Sequence, residues 1–123
     1  MKKLFFIITI TIFTSSFSQQ SQLLKIRKFR VGYLDEKIKE TSGLNILNGK
    51  LYTFNDSGNL PEIFELEKTT GKIIDTLKIN GKNKDWEALT NDGKIFYIGD
   101  FGNNGGIRRD LEIYKVLSEN NPF

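Results

Sequence analysis

The sequence predicts an all-β chain of consecutive four-stranded antiparallel blades, about two of them, the second incomplete. Three observations predict it. Residues 40–59, ETSGLNILNGKLYTFNDSGN, return as residues 85–103, DWEALTNDGKIFYIGDFGN, at a period near 44 residues, which lies in the range of propeller blades. Asn48-Gly49 and Asp92-Gly93 are hairpin signals, because both residue types tolerate the positive φ that a two-residue turn matching the strand twist requires. No stretch carries apolar residues at helical spacing over three turns, so helix is expected in less than about one tenth of the chain.

Residues 1–18, MKKLFFIITITIFTSSFS, read as a cleavable export signal: a basic start, an apolar run over 4–13, and small side chains at Ser16 and Ser18. The run falls short of the roughly 20 residues that span a bilayer, so a stable membrane anchor is not expected. With no Cys in the chain there is no lipid-attachment site either. The signal predicts a secreted or periplasmic protein. Removing Lys2 and Lys3 from the 18 basic residues leaves 16 against 15 acidic, a near balance that argues against a nucleic-acid surface.

Residues 19–39 hold a basic run, Lys25, Arg27, Lys28 and Arg30, and are expected to form an N-terminal strand region. The first complete repeat covers 40–82, with strands expected over 44–47, 51–54, 63–66 and 73–79. The second, over 83–117, has about three strands, and 118–123 is a tail. In this reading the loops ending the second strands, 55–59 and 99–106, share one rim with the linking segment 80–87. A closed propeller needs at least four blades, so the expectation is a piece of a longer propeller, failing that a chain that self-associates, and last a small independent β-sheet domain.

The absent residue types exclude chemistry firmly. With zero His and zero Cys, the chain holds no Ser-His-Asp or Cys-His triad of its own, no thiol redox site and no zinc site of imidazole or thiolate. Any chemistry rests on carboxylates, amides, hydroxyls, Lys, Arg, or a hard cation held by oxygens.

The SGL start of one blade, its Asn-Asp-Ser-Gly loop, Asp85-Trp86-Glu87-Ala88-Leu89 and the Ile-Gly-Asp-Phe-Gly-Asn-Asn loop together resemble secreted bacterial β-propeller repeat proteins. More loosely, the chain is similar to the SdiA-regulated and esterase-like phytase-like propeller families, in which a D-x-E-G-(I/L) stretch recurs; here Ala88 stands in place of that Gly. The resemblance, over residues 38–116, implies rim loops that hold a divalent cation, usually calcium. Its candidate ligands are Asp85, Glu87, Asp100 and Asn103.

Calcium takes six to eight oxygens, which such loops can supply in part. The competing reading is that Asp85 and Asp100 cap turns by accepting backbone N–H bonds. Trp86 is a candidate for stacking on a ligand or for packing between the repeats. Arg108 and Arg109 are candidates for binding an anion or for lining a solvated turn. Two function classes follow: a non-enzymatic extracellular module that binds a protein or matrix component, and a calcium-assisted hydrolase of esters or phosphoesters.

Overall fold

A computed structural model of the chain describes residues 23–118. The expected export signal, and all of the tail but residue 118, lie outside the described residues. Seven strands follow in order: β1 (Thr41–Leu47), β2 (Lys50–Asn55), β3 (Glu62–Leu66), β4 (Ile73–Lys78), β5 (Trp86–Asn91), β6 (Ile95–Asp100) and β7 (Glu112–Leu117). Strands β1 to β4 form one sheet and β5 to β7 another, each in chain order and antiparallel throughout. Neither sheet closes on itself. The sole helical piece among the described residues is a four-residue 3-10 turn, Ile26–Phe29. The all-β expectation, with four strands and then three, is what the chain adopts.

Residues 23–39 correct the expectation of an N-terminal strand. They contain the 3-10 turn and no strand, and their basic side chains are exposed. The cause is legible in the run itself: Ile26 and Phe29 do not alternate with the charges, so no apolar face is available to lie on a sheet. The segment is anchored instead by Ile38, which is buried against Phe64 and Leu66 on the outer face of the first sheet.

The two hairpins also differ. Asn48 (φ 49°) and Gly49 (φ 76°) make the expected two-residue turn between Leu47 and Lys50. In the second hairpin the last pair is Asn91 with Phe96, and of Asp92 and Gly93 only Gly93 has positive φ. Asp92 instead accepts the backbone N–H groups of Lys94 and Ile95, each at 3.0 Å, and so caps a longer turn.

Strand pairing fixes how the repeats correspond. Asn45 faces Tyr52 as Thr90 faces Tyr97, Gly43 faces Phe54 as Ala88 faces Gly99, and Thr41 faces Asn55 as Trp86 faces Asp100. The first two strands of each sheet therefore correspond at a constant offset of 45 residues. A sequence match that aligns the Asn-Gly and Asp-Gly turns pairs Tyr52 with Phe96 and Asp56 with Asp100; strand register moves both partners by one. The counterpart of Asp100 is Asn55.

The sheets pack face to face. Leu47, Tyr52, Phe54 and Ile63 from the first meet Trp86, Leu89, Phe96 and Ile98 from the second in one buried cluster. Tyr52 and Phe96 meet edge to face at 4.9 Å, Phe54 and Trp86 at 5.4 Å, the geometry that sets a ring's positive edge on a negative face. Strand β1 lies along β5, and polar side chains stitch the seam. Ser42 Oγ donates to Trp86 O at 2.6 Å, Asn45 Nδ2 to Leu89 O at 3.1 Å, and Asn91 Nδ2 to Ile46 O at 2.9 Å. The repeat in sequence is thus a repeat in space. Gly43 sets how closely the sheets approach, because a Cβ there would lie 2.8 Å from the Phe54 ring and 3.1 Å from Leu89 Cβ.

Candidate functional site

Both sheets bulge at the same place. Register shifts between Thr41 and Gly43 in β1 and between Trp86 and Ala88 in β5, so Ser42 and Glu87 are the extra residues. A bulge re-aims the side chain of its extra residue. Ser42 turns into the seam and bonds Trp86 O, whereas Glu87 joins two carboxylates at the end of the seam opposite the hairpin turns.

Those two are Asp85, just before β5, and Asp56, just after β2. One oxygen from each of Asp56, Asp85 and Glu87 lies within 4.8 Å of the others, and all three side chains are half-buried. The loops are locked around them. Asn83 Nδ2 donates to Asn55 O at 2.8 Å and Asp56 O at 3.0 Å, tying the linking segment to the loop after β2. Gly102 N donates to Asp85 O at 3.0 Å, and its missing side chain makes room: a Cβ on Gly102 would lie 2.1 Å from Asp85 Cγ.

The electrostatics of the trio are unfavourable to three bare charges. Burial pushes the Asp85 carboxyl above its ordinary value, and a side-chain hydrogen bond with Asp56 and the charge of Asp56 push it further. Glu87 is raised by burial first, then by the charges of Asp56 and Asp85. Like charges held this close favour either a shared proton or a bound cation.

Of the residues expected from the sequence to hold a metal, Asp85 and Glu87 are brought together. Asp100 and Asn103 are committed elsewhere. Asp100 is fully buried, accepts Lys84 N and Asp85 N at 3.1 Å each, and pairs with Arg108 Nη2 at 2.9 Å. This is the turn-capping role, with an ion pair added. Asn103 closes its own loop: Oδ1 accepts Arg108 N at 3.0 Å and Nδ2 donates to Arg108 O at 3.4 Å.

Trp86 is fully buried, and Nε1 donates to Lys82 O at 3.1 Å, so it packs between the repeats and offers no face to a ligand. Arg108 is a clamp, not a free anion site. Besides Asp100 it reaches Gly102 O at 2.8 Å and Asp110 at 3.2 Å. Bonds from Lys84 and from Arg108 hold the Asp110 carboxyl down at about 2. Arg109 is exposed.

Asp56 is the member that sequence reasoning missed. The sequence places its loop on the same rim, but aligning Asp56 with Asp100 makes it a copy of a ligand instead of a partner to one. The NDSG loop lying opposite DWE on a shared rim was the signal. Comparison with family models, with curated proteins and with solved structures finds no match to the chain.

Proposed function

We propose that the chain is an exported repeat module of the β-propeller type, with a binding or structural role outside the cell, and that a calcium ion held by Asp56, Asp85 and Glu87 belongs to that role. Two stacked four- and three-stranded units with matching bulges, joined along their first strands, support the blade reading. One observation carries the cation: carboxylates from both sheets converge within 4.8 Å where the seam opens on the rim. Calcium there bridges the two units and offsets the repulsion that, after burial, raises Asp85 and Glu87.

Three carboxylates supply only part of the six to eight oxygens calcium takes, with water completing the shell. The affinity expected is therefore that of extracellular modules, about 10⁻⁴ to 10⁻³ M. Titration calorimetry on the purified chain tests it. Glu87→Gln and Asp56→Asn each weaken calcium at least about tenfold, the loss of about 1.4 kcal/mol of binding free energy. Both retain the circular dichroism of the parent. No heat and no thermal stabilisation at calcium well above that range overturns the reading, as does binding that survives both substitutions.

A further inference from the structure

The outer face of the second sheet has the make-up of a packing face. Register makes Tyr97, Gly99 and Ile113 the counterparts of Tyr52, Phe54 and Ile63. The latter three are buried in the seam between the sheets. Ile63 is wholly buried, but Ile113 is 69% exposed. Over Gly99, where the first sheet carries the Phe54 side chain, the ring of Phe101 folds back so closely that a Cβ on Gly99 would lie 1.9 Å from it. That ring is itself 42% exposed.

The outer face of the first sheet is the complementary half. Leu44, Leu51 and Thr53 correspond there to Leu89, Phe96 and Ile98, the residues that receive Tyr52 and Phe54 inside the chain. Residues 31–38 cover the β3 and β4 side of this face through Ile38. Over β1 and β2 they leave a cleft of about 440 Å³, lined by Val31, Leu34, Gly43, Leu44, Leu51 and Thr53. Leu44 and Ile46 are 65% and 60% exposed beside it. Of the two strands that the seam uses, β1 is uncovered at Leu44 and Ile46, while on β2 Leu51 is half-buried and Thr53 has no exposed surface.

We propose that the occupant of each open face is a second copy of this chain, docked head to tail, with the outer face of one copy's second sheet on the outer face of the next copy's first sheet. The contact repeats the seam that already joins the two sheets of one copy. A heterologous contact of this kind closes into a ring when its rotation divides a full turn. With two sheets per copy and about four to eight blades in closed propellers, the ring holds about two to four copies. The seam's amide stitch is not reproduced, because Asn45 and Asn91 correspond to Thr90 and Ile46. The assembly is therefore held by apolar burial and depends on concentration.

This deepens the repeat-module reading and is independent of the cation. Light scattering coupled to size exclusion, on the purified full chain across a concentration series, reads it. The parent forms one discrete species of two to four copies. Ile113→Asp and Leu44→Asp, both at exposed positions and with unchanged circular dichroism, are each monomeric. Mixed in equal amounts they form a one-to-one pair that grows no further, because each retains the face the other lacks. A parent that is monomeric at its highest soluble concentration overturns the proposal, as does a Leu44→Asp variant that assembles like the parent, or a mixture that stays monomeric. A chain that binds calcium but remains a monomer overturns this inference alone.

Discussion

The carboxylate of Asp100, with no exposed surface, receives the guanidinium of Arg108 at 2.9 Å and two backbone N–H groups at 3.1 Å. The pair joins the end of β6 to the loop returning into β7, and it holds the linking segment in the position that presents Asp85.

Asp100→Ala therefore strips partners from the N–H groups of Lys84 and Asp85 and from Arg108. Each buried polar group left unpaired costs about 1–3 kcal/mol, and the variant is expected to lose at least that much in urea unfolding. Arg108→Ala, which leaves the Asp100 charge buried, lowers the urea midpoint clearly. Arg109→Ala, at the exposed neighbour, leaves it in place. Equal effects of the two arginine substitutions would remove the clamp role.

Gly43 is the second point of control. Its Cβ would meet the Phe54 ring at 2.8 Å and Leu89 at 3.1 Å, so Gly43→Ala forces the seam apart. Overpacking of this kind costs about 1–3 kcal/mol. Calorimetric melting is expected to show the loss, while Ala88→Gly, at the corresponding position on the open face of the second sheet, costs less than Gly43→Ala. The Ala88 Cβ has no opposing sheet against it within one copy.

Much of this was legible in the sequence. The strand count, the antiparallel order, the shared rim and the pairing of Asp85 with Glu87 follow from two copies of one pattern, because alternation and turn residues act locally. The correspondence of the copies was not legible, because it depends on turn length. Asp92 resembles Asn48 as a residue type yet caps a longer turn through its carboxylate, which displaces the match by one. Asp100 was visible as an acid at the right rim. Its burial and its engagement by Arg108 depend on a loop whose path no spacing rule describes. The N-terminal run fails as a strand for a simpler reason: its charges have no period.

The pH dependence of the calcium-free protein follows from the raised carboxyls. A group whose folded pKa lies above its unfolded value favours the fold while protonated. Its contribution is complete below the ordinary carboxylate range, near pH 4, and is lost as pH rises through the raised folded value. Asp85 and Glu87 are such groups. Asp110, held down at about 2, works oppositely, keeping its contribution until pH falls below the ordinary range. As pH falls toward the ordinary carboxylate range the raised pair gains its contribution, so in chelator the urea midpoint rises on acidification. In Glu87→Gln the rise is smaller. A midpoint that falls as pH approaches that range, or a slope untouched by the substitution, contradicts the proximity of the three carboxylates.

Gly102 separates the position of a ligand from its presence. A methyl group at this residue would lie 2.1 Å from Asp85 Cγ and 2.2 Å from Oδ2, so Gly102→Ala must displace the carboxylate. The obstructed atoms are the end of a side chain rather than backbone, and the displacement is taken up by rotation about its χ angles, costing about 0.5–1.5 kcal/mol where it ends about 30° off a rotamer. The bonds of Arg108 to Gly102 O and of Asp85 N to Asp100 run through backbone atoms and not through the displaced carboxylate, so the fold is retained. Calcium then finds Asp56 and Glu87 in place and Asp85 turned away, and its affinity falls by a factor close to that of Asp85→Asn. In a double-variant cycle the two substitutions are not additive, since both remove the same oxygen donor. Calorimetry on the four proteins measures this directly. Additive losses would mean that Asp85 and Gly102 act on calcium separately, and an unchanged affinity in Gly102→Ala would place the ion away from Asp85.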